Sequence, residues 1–235
     1  MAIDEALLDI VQQGGPAVLR LYRWSADTVS FGAHEVARRS WNRTALEAAN
    51  VPCVRRPTGG RAVWHSLADL TYALTTPLPA GTSARGIYRN VHERLAIAMT
   101  TVGLAVVLAP PPPRLPRLDA GACFDAAVGG EVLVGGHKAI GSAQLVRGGA
   151  VLQHGAIAQA NPFASLNRFA TAPNPGAQGG ARVVLPNASV IADAVTDAWR
   201  KHGAVDATPE LTERAELASI QYAVRYRSAD WTWRR

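Results

Sequence analysis

A cysteine and a lysine in one glycine-rich stretch are the residue types best suited to nucleophilic chemistry. The stretch from Cys123 to Ile157 reads CFDAAVGGEVLVGGHKAIGSAQLVRGGAVLQHGAI. The chain contains 22 arginines but only two lysines, Lys138 and Lys201. Unlike arginine, lysine is a compact charge with a tunable pKa, so its retention in GGHKAIGSAQ is informative. Taken alone, Lys138 is better explained as the charge of a hairpin turn, and Cys123 as a buried structural thiol, but the glycines that flank Lys138 favour a functional position.

A second glycine-containing loop lies in RRPTGGRAVWH, residues 55–65. Arginines flank its Gly59-Gly60 pair, an arrangement typical of anion or carbonyl binding by backbone amides. The loop matches neither GxxxxGK[ST] nor GxGxxG. Without further information, an ordinary turn explains it as well as a binding site does. His65 and His154 each lie in or after a strand-like run, where a histidine is more often structural.

Composition narrows the functional classes. The chain has 235 residues, 48% of them hydrophobic, and a net charge of +6. It has two cysteines without CxxC or His/Cys clusters, which predicts free thiols and no metal site. We expect a cytoplasmic protein, because the sequence has neither a basic secretory leader nor a long apolar stretch. The positive charge favours acidic partners, and because no nucleic-acid-binding motif is present, an acidic protein fits as well as nucleic acid.

Hydrophobic periodicity predicts mixed helices and strands. Helices are expected at 2–13, 44–50, 84–102, 162–169, 187–202 and 209–222, and strands at 17–24, 28–32, 51–56, RAVWH, DLTYAL, 104–108, EVLVGG, KAIGSAQ and AVLQHGAI. The first two strands are predicted to form a hairpin, and 109–117 a proline-rich connector. These elements form one α/β (α+β) pattern with a mixed, largely antiparallel sheet flanked by helices. We therefore predict a single domain, 1–235, and not a doubly wound fold.

Six blocks of the sequence, in order, resemble the biotin/lipoate A/B protein ligase superfamily. They are MAIDEALL, LRLYRWSADTVSFG, RRPTGGRAVWHSLADLTYAL, KAIGSAQ, LQHGAI and DWTWRR. Within that superfamily, the ACFD block containing Cys123 resembles the LipM-type octanoyltransferases. The RRPTGGRAV loop is also more similar to that group than to the ligases, which tend to carry a third glycine where Arg61 stands.

The resemblance implies an octanoyl transfer from acyl carrier protein to a lysine of a lipoyl domain or glycine-cleavage H protein. Cys123 would be the acyl-accepting nucleophile, and Lys138 would lower the pKa of its thiol and hold the acyl carbonyl. No cofactor or metal is implied. The substrate-binding residues that the resemblance implies are Arg55, Arg56, Gly59, Gly60, Arg61, His65, Gly141, Ser142, Ala143, His154 and Gly155. In addition, Val63, Leu70 and Tyr72 are candidates for the wall of an apolar tunnel.

Two alternatives remain open at the level of sequence. An ATP-dependent lipoate–protein ligase would need ATP and Mg²⁺ to activate a free acid as an acyl-adenylate. Lys138 would then contact the adenylate, and Cys123 would be dispensable. A non-catalytic module that binds carrier proteins or nucleic acid would show no acyl transfer. Three positions depart from the family pattern: Ser66 replaces an acidic residue, Trp64 an aliphatic one, and HGAI stands where HGSI or HGTL is common.

Overall fold

The computed structural model describes residues 1–110, 130–158, 162–172 and 184–235, with the backbone alone for 162–164. Cys123, most of the predicted connector 109–117 and part of the loop-rich stretch after 172 lie outside the described residues. The helices are α1 (Ala2–Gln12), α2 (Ala37–Ser40), α3 (Arg43–Ala48), α4 (Ala84–Thr101), α5 (Pro162–Asn167), α6 (Ala188–Arg200), α7 (Pro209–Arg227) and α8 (Ala229–Thr232). The strands are β1 (Val18–Tyr22), β2 (Thr28–Phe31), β3 (Cys53–Arg55), β4 (Val63–His65), β5 (Leu70–Pro77), β6 (Val106–Leu108), β7 (Val132–Val134), β8 (His137–Arg147) and β9 (Ala150–Ile157).

The described strands form two sheets. The larger has six strands in the order β1-β5-β9-β8-β7-β6, and every neighbouring pair is antiparallel. The smaller has the order β3-β2-β4, with β2 parallel to β3 and antiparallel to β4. This confirms the predicted α+β class with a mixed, largely antiparallel arrangement flanked by helices.

Helices cover both faces of the larger sheet. Apolar side chains of α4 and α6 pack on one face, in the largest hydrophobic cluster of the described residues. On the opposite face, Leu8 and Val11 of α1 pack against Ala73, Ala150 and Leu152. Helix α7 then packs on the outer side of α1. Because α1 is covered by the sheet on one side and by α7 on the other, seven of its eleven residues are buried, including an unbroken run from Asp4 to Leu8.

The predicted hairpin of the first two strands is wrong. Strand β1 pairs with β5 in the larger sheet, whereas β2 is the central strand of the smaller one. All four residues of β2 are buried, which suits a strand covered on both faces better than one arm of a hairpin. Helix α3 begins one residue before the predicted start at 44, and Asn42 caps it by accepting from the amide of Ala45.

Candidate functional site

A cleft lies between the two sheets and has an empty volume of about 370 Å³. Its lining combines strands β5, β8 and β9 of the larger sheet with β2 and β4 of the smaller one, and includes the aromatic rings of Tyr22 and Trp24. This volume includes space that is open to solvent. The predicted substrate-binding residues that it brings together are Arg56, His65, Gly141, Ser142, Ala143, His154 and Gly155.

Small residues form the part of the cleft contributed by β8 and β9. A side chain at Gly155 would begin 2.4 Å from Ser142 Oγ and 2.6 Å from Tyr72 Cε1. Only glycine fits there, because real Cβ atoms do not approach other atoms so closely. Tyr72 and Leu70 belong to the core under α4, and of the three tunnel candidates Val63 is the one that lines the cleft.

His65 is a neutral, buried residue at the cleft. Its Nε2 lies 2.7 Å from Ser30 Oγ, and its ring stacks on Trp24 with 4.4 Å between centroids. Burial lowers the pKa of His65 well below its usual value, and the nearby charge of Arg56 adds to the shift. Its Nδ1 is buried without a hydrogen-bond partner. The ring can therefore offer a polar atom to a ligand without carrying charge.

His154 has a parallel environment on the larger sheet. Its Nε2 lies 2.6 Å from Thr58 Oγ1. Its Nδ1 is 3.9 Å from Asp4 Oδ2, an electrostatic contact too long for a hydrogen bond. Burial lowers the pKa of His154, although the carboxylate of Asp4 acts in the opposite direction. His154 thus joins the larger sheet to the loop that carries Thr58.

Arg56 organises the Gly-Gly loop from the cleft side. Its Nη1 donates to the carbonyl of Ser30 at 2.8 Å, and its Nη2 donates to the carbonyls of Gly59 and Arg61 at 3.0 and 2.7 Å. Gly60 has a φ of +89°, a conformation that favours glycine. Gly59, Gly60 and Arg61 are not among the residues that line the cleft. The loop reaches the cleft through Arg56.

Arg55 has a structural position. Its side chain is buried, and it donates to the carbonyls of Gly32, Glu35 and Thr232 at 2.7 to 2.9 Å. These bonds join β3 to the turn after β2 and to α8. Arg55 does not line the cleft, so its position does not support the predicted contact with a substrate.

Lys138 lies in β8 at an irregularity in the sheet. Val132 pairs with Ile140 and Leu133 with Lys138, so β8 has one extra residue at this point. Such bulges redirect side chains and are common beside active sites. Lys138 Nζ forms a 2.6 Å ion pair with Glu131, and the two side chains are 5% and 1% exposed. Lys138 does not line the cleft.

His92 on α4 is close to this ion pair. Its Nδ1 lies 2.6 Å from the carbonyl of Gly130, and its Nε2 lies 2.7 Å from Ser142 Oγ. Burial lowers the pKa of His92 to about 4, and the charge of Lys138 contributes to the shift. Sequence reasoning missed both His92 and Glu131. The available signal for His92 was a polar residue within the apolar stripe of α4.

Cys123 is in the segment between β6 and β7, outside the described residues. The described ends of that segment are adjacent, because the amide of Gly130 donates to Ala109 and that of Ala109 to Glu131, both at 2.7 Å. In the sequence, the predicted nucleophile is seven residues before Gly130.

The described residues lack two features, a metal-binding cluster and a membrane-spanning helix. They contain no group of three or more His, Cys, Asp and Glu side chains arranged to hold a metal ion. Among their helices, none combines the length and apolar character required to cross a membrane.

The chain is similar to octanoyltransferases in sequence. Octanoyltransferase LipM of Exiguobacterium sp. is 38% identical over 136 residues, which are 54% of this chain and 49% of that protein. The LipM of Carboxydothermus hydrogenoformans is 39% identical over 109 residues, 44% of this chain and 40% of that protein. The chain spans about half the length of the curated relatives that it matches.

Solved structures share its fold. The protein Ta0514 from T. acidophilum with bound lipoic acid has a TM-score of 0.80 at 21% identity, covering 100% of this chain and 92% of that one. A lipoate-protein ligase A bound with ATP has a TM-score of 0.79 at 21% identity, covering 99% and 92%. The model of the lipoyl protein ligase A/B catalytic domain matches residues 1–194. The chain therefore belongs to the lipoyl protein ligase A/B catalytic domain family.

Proposed function

We propose that this chain is an octanoyltransferase that moves an octanoyl group from acyl carrier protein to a lysine of a lipoyl domain or glycine-cleavage H protein. The observation that carries the proposal is its similarity to LipM octanoyltransferases, at 32–39% identity over about half of the chain. The cleft between the two sheets supports it. We assign the whole chain, 1–235, to a single catalytic domain.

The proposed chemistry has two balanced steps. The Cys123 thiolate attacks the carbonyl carbon of the octanoyl thioester, forming a new C–S bond while the carrier sulfur leaves and takes up a proton. The ε-amine of the acceptor lysine then attacks the enzyme thioester. An amide forms, the amine loses a proton, and the Cys123 thiolate is regenerated. Division of the transfer in this way is covalent catalysis.

Lys138 supports this chemistry through its charge. A nearby ammonium favours the thiolate form of a cysteine and stabilises the oxyanion of each tetrahedral intermediate. The ammonium of Lys138 is paired with Glu131 at 2.6 Å, and the proposal assigns it a contact with the acyl carbonyl. The bulge in β8 gives this side chain a direction that regular alternation would not provide.

The cleft is suited to an acyl chain. Four small residues on its β8–β9 side let an alkyl chain lie close to the backbone: Gly141, Ala143, Gly155 and Ala156. Burial of each methylene contributes about 0.8 kcal/mol, so a chain of this length supplies ample binding energy. Burial lowers the pKa values of His65 and His154, so neither adds a positive charge to that of Arg56 at the cleft.

Both proposed partners are carrier domains. The related bi-partite lipoate protein ligase of Thermoplasma acidophilum was studied with its E2 lipoyl domain, and its solved structure has a TM-score of 0.77 to this chain. The net charge of +6 favours encounter with acidic domains. No ATP, metal or nucleic acid takes part in the proposed reaction.

The test is intact mass after the protein is mixed with octanoyl-acyl carrier protein without ATP. We expect a hydroxylamine-labile octanoyl adduct on the wild type and its absence from Cys123→Ala. Cys53→Ala is the matched control, because burial raises the pKa of that thiol to about 12 and makes it a poor nucleophile. Cys53→Ala should therefore form the adduct.

Two other outcomes would contradict the proposal. ATP-dependent modification of a lipoyl domain that survives in Cys123→Ala, with no adduct, would identify a lipoate–protein ligase. Binding of carrier proteins or nucleic acid without any acyl transfer would identify a non-catalytic module.

A further inference from the structure

A buried chain of hydrogen bonds runs from the start of α4 across the larger sheet and back to α4. Gln144 Nε2 donates to Gln153 Oε1 at 2.9 Å, and Gln153 Nε2 donates to Tyr72 Oη at 2.9 Å. Tyr72 Oη lies 2.6 Å from Ser142 Oγ, which lies 2.7 Å from His92 Nε2. Tyr72, Gln153 and His92 are fully buried. Ser142 is also part of the cleft.

The donor and acceptor of each hydrogen bond in this series follow from the groups at its two ends. The carbonyl of Gly130 can only accept, so His92 Nδ1 carries a proton and donates to it. Because burial keeps the ring neutral, Nε2 has no proton and accepts from Ser142. Ser142 Oγ has then used its proton and accepts from Tyr72. At the other end, the Gln153 amide donates to Tyr72, which is consistent with the same direction.

The hydrogen bond from His92 to the Gly130 carbonyl, the last in the series, affects the position of the Lys138–Glu131 ion pair. The Gly130 carbonyl belongs to the planar peptide unit that joins Gly130 to Glu131. A bond to that oxygen fixes the plane from which the Glu131 side chain departs. Glu131 in turn holds Lys138 at 2.6 Å. Gly130 has a φ of +74°, so its backbone is a turn that would have other conformations available without this bond.

We propose that His92 is a positioning residue that holds the Gly130–Glu131 peptide and so sets the place of the Lys138 ammonium. The hydrogen-bond chain fixes the His92 tautomer from the cleft side through Ser142. The role in catalysis rests on the proposed function, because it assumes that Lys138 acts on the acyl carbonyl. The geometric part, from His92 to Lys138, does not depend on that assumption.

The two lysines of the chain provide a direct test. Trace acetylation with acetic anhydride, measured by peptide mass spectrometry, gives the reactivity of Lys138 relative to Lys201, which is exposed and serves as an internal reference. In His92→Gln, the amide reaches the position of Nε2 and no longer donates to Gly130. In His92→Asn, the amide nitrogen takes the position of Nδ1 and keeps that bond. Both variants remove the imidazole ring.

We expect the Lys138:Lys201 ratio to rise about tenfold in His92→Gln, because loss of a bond to a buried carbonyl favours the opened state by about that factor. His92→Asn should retain the wild-type ratio. Glu131→Gln should also raise it, since it removes the charge that holds Lys138. An equal ratio in His92→Gln and His92→Asn, or an unchanged ratio in Glu131→Gln, would overturn the proposal.

Two further readouts keep the outcome decisive. Nitrogen NMR of the intact wild-type chain should show His92 protonated at Nδ1, and protonation at Nε2 would refute the assignment even if a variant failed to fold. In acyl transfer, His92→Gln should lower kcat about tenfold with KM unchanged. If the wild type transfers no acyl group, the proposed function fails, and the labelling ratio still decides the positioning role.

Discussion

Acidification from pH 7 to pH 5 should destabilise the folded chain through its buried histidines. The pKa of His92 is about 4 in the folded state against 6.5 for an unperturbed imidazole. At pH 5 the unfolded chain therefore binds a proton at this position and the folded chain does not, so the lower pH favours unfolding. For this pair of pKa values, linkage gives a loss of about 2 kcal/mol between pH 7 and pH 5 from His92 alone.

The buried histidines act in the same direction as His92, whereas Glu35 acts in the opposite direction, because burial raises the pKa of its carboxyl group. The pKa values of His65 and His154 are also lowered by burial, so each adds a loss of the same sign. Burial alone would raise the pKa of Asp4, but the N-terminal ammonium, His154 and Arg20 hold it well below its usual range. The stability that Asp4 contributes is lost only below about pH 4, the unfolded pKa of a carboxyl group.

The assay is urea unfolding followed by tryptophan fluorescence at pH 7 and pH 5. The control is His92→Asn, which has no titratable group at this position and keeps the bond to Gly130. We expect this variant to lose about 2 kcal/mol less than the wild type over the same interval. Equal losses in the two proteins, or a measured His92 pKa close to 6.5, would refute the reasoning.

Three further predictions concern the loop, the buried arginine and the cleft. Gly32→Ala should lower the free energy of unfolding by about 3 kcal/mol in the same urea assay, because its Cβ would lie 1.7 Å from the carbonyl oxygen of Gly60. The control is Gly59→Ala, which should change this free energy little, because the space around its Cβ is open. Arg55→Lys should cost about 3 kcal/mol by thermal or urea unfolding, since a single ammonium nitrogen cannot occupy the positions of both Nε and Nη1. A change under 1 kcal/mol would contradict the structural role of Arg55. Trp24→Leu should enlarge the cleft, because the ring of Trp24 lines it. We expect kcat/KM for a decanoyl donor to rise relative to kcat/KM for an octanoyl donor by about fourfold for each additional methylene that the cleft accommodates. An unchanged ratio would place the acyl chain elsewhere.

Local pattern was sufficient for the individual elements of this fold. The apolar spacing of α1, α4 and α6 predicted these helices, and glycine and proline marked their ends. The same short-range signals located β7, β8 and β9 around Lys138. They did not give strand partners, because pairing joins residues far apart in the sequence. The separation of β1 and β2 into different sheets was therefore missed.

Motif matching determined the family and proposed several cleft residues, because the family blocks preserve residue types at the positions that fold together. Arg56, His65, Ser142, His154 and Gly155 do meet in one cleft. The sequence alone did not distinguish the buried structural position of Arg55 from the position of the adjacent Arg56 at the cleft. Successive side chains of an extended segment point to opposite sides, so Arg55, the last residue of β3, reaches carbonyls near α8, and Arg56, the next residue, reaches the cleft. Which side faces the cleft depends on the elements that pack against each face.

The tertiary structure alone decided the polar network behind the cleft. His92 and Ser142 are fifty residues apart in sequence, and Tyr72 is seventy residues from Ser142. A hydrogen bond requires its atoms within about 3 Å, and no periodicity or motif encodes which distant polar groups will be buried together. Composition and spacing determined which residue types the chain could bring to its chemistry. The packing of α4 on the larger sheet determined which of these polar groups are hydrogen-bonded to one another, because nearly all buried polar groups are hydrogen-bonded.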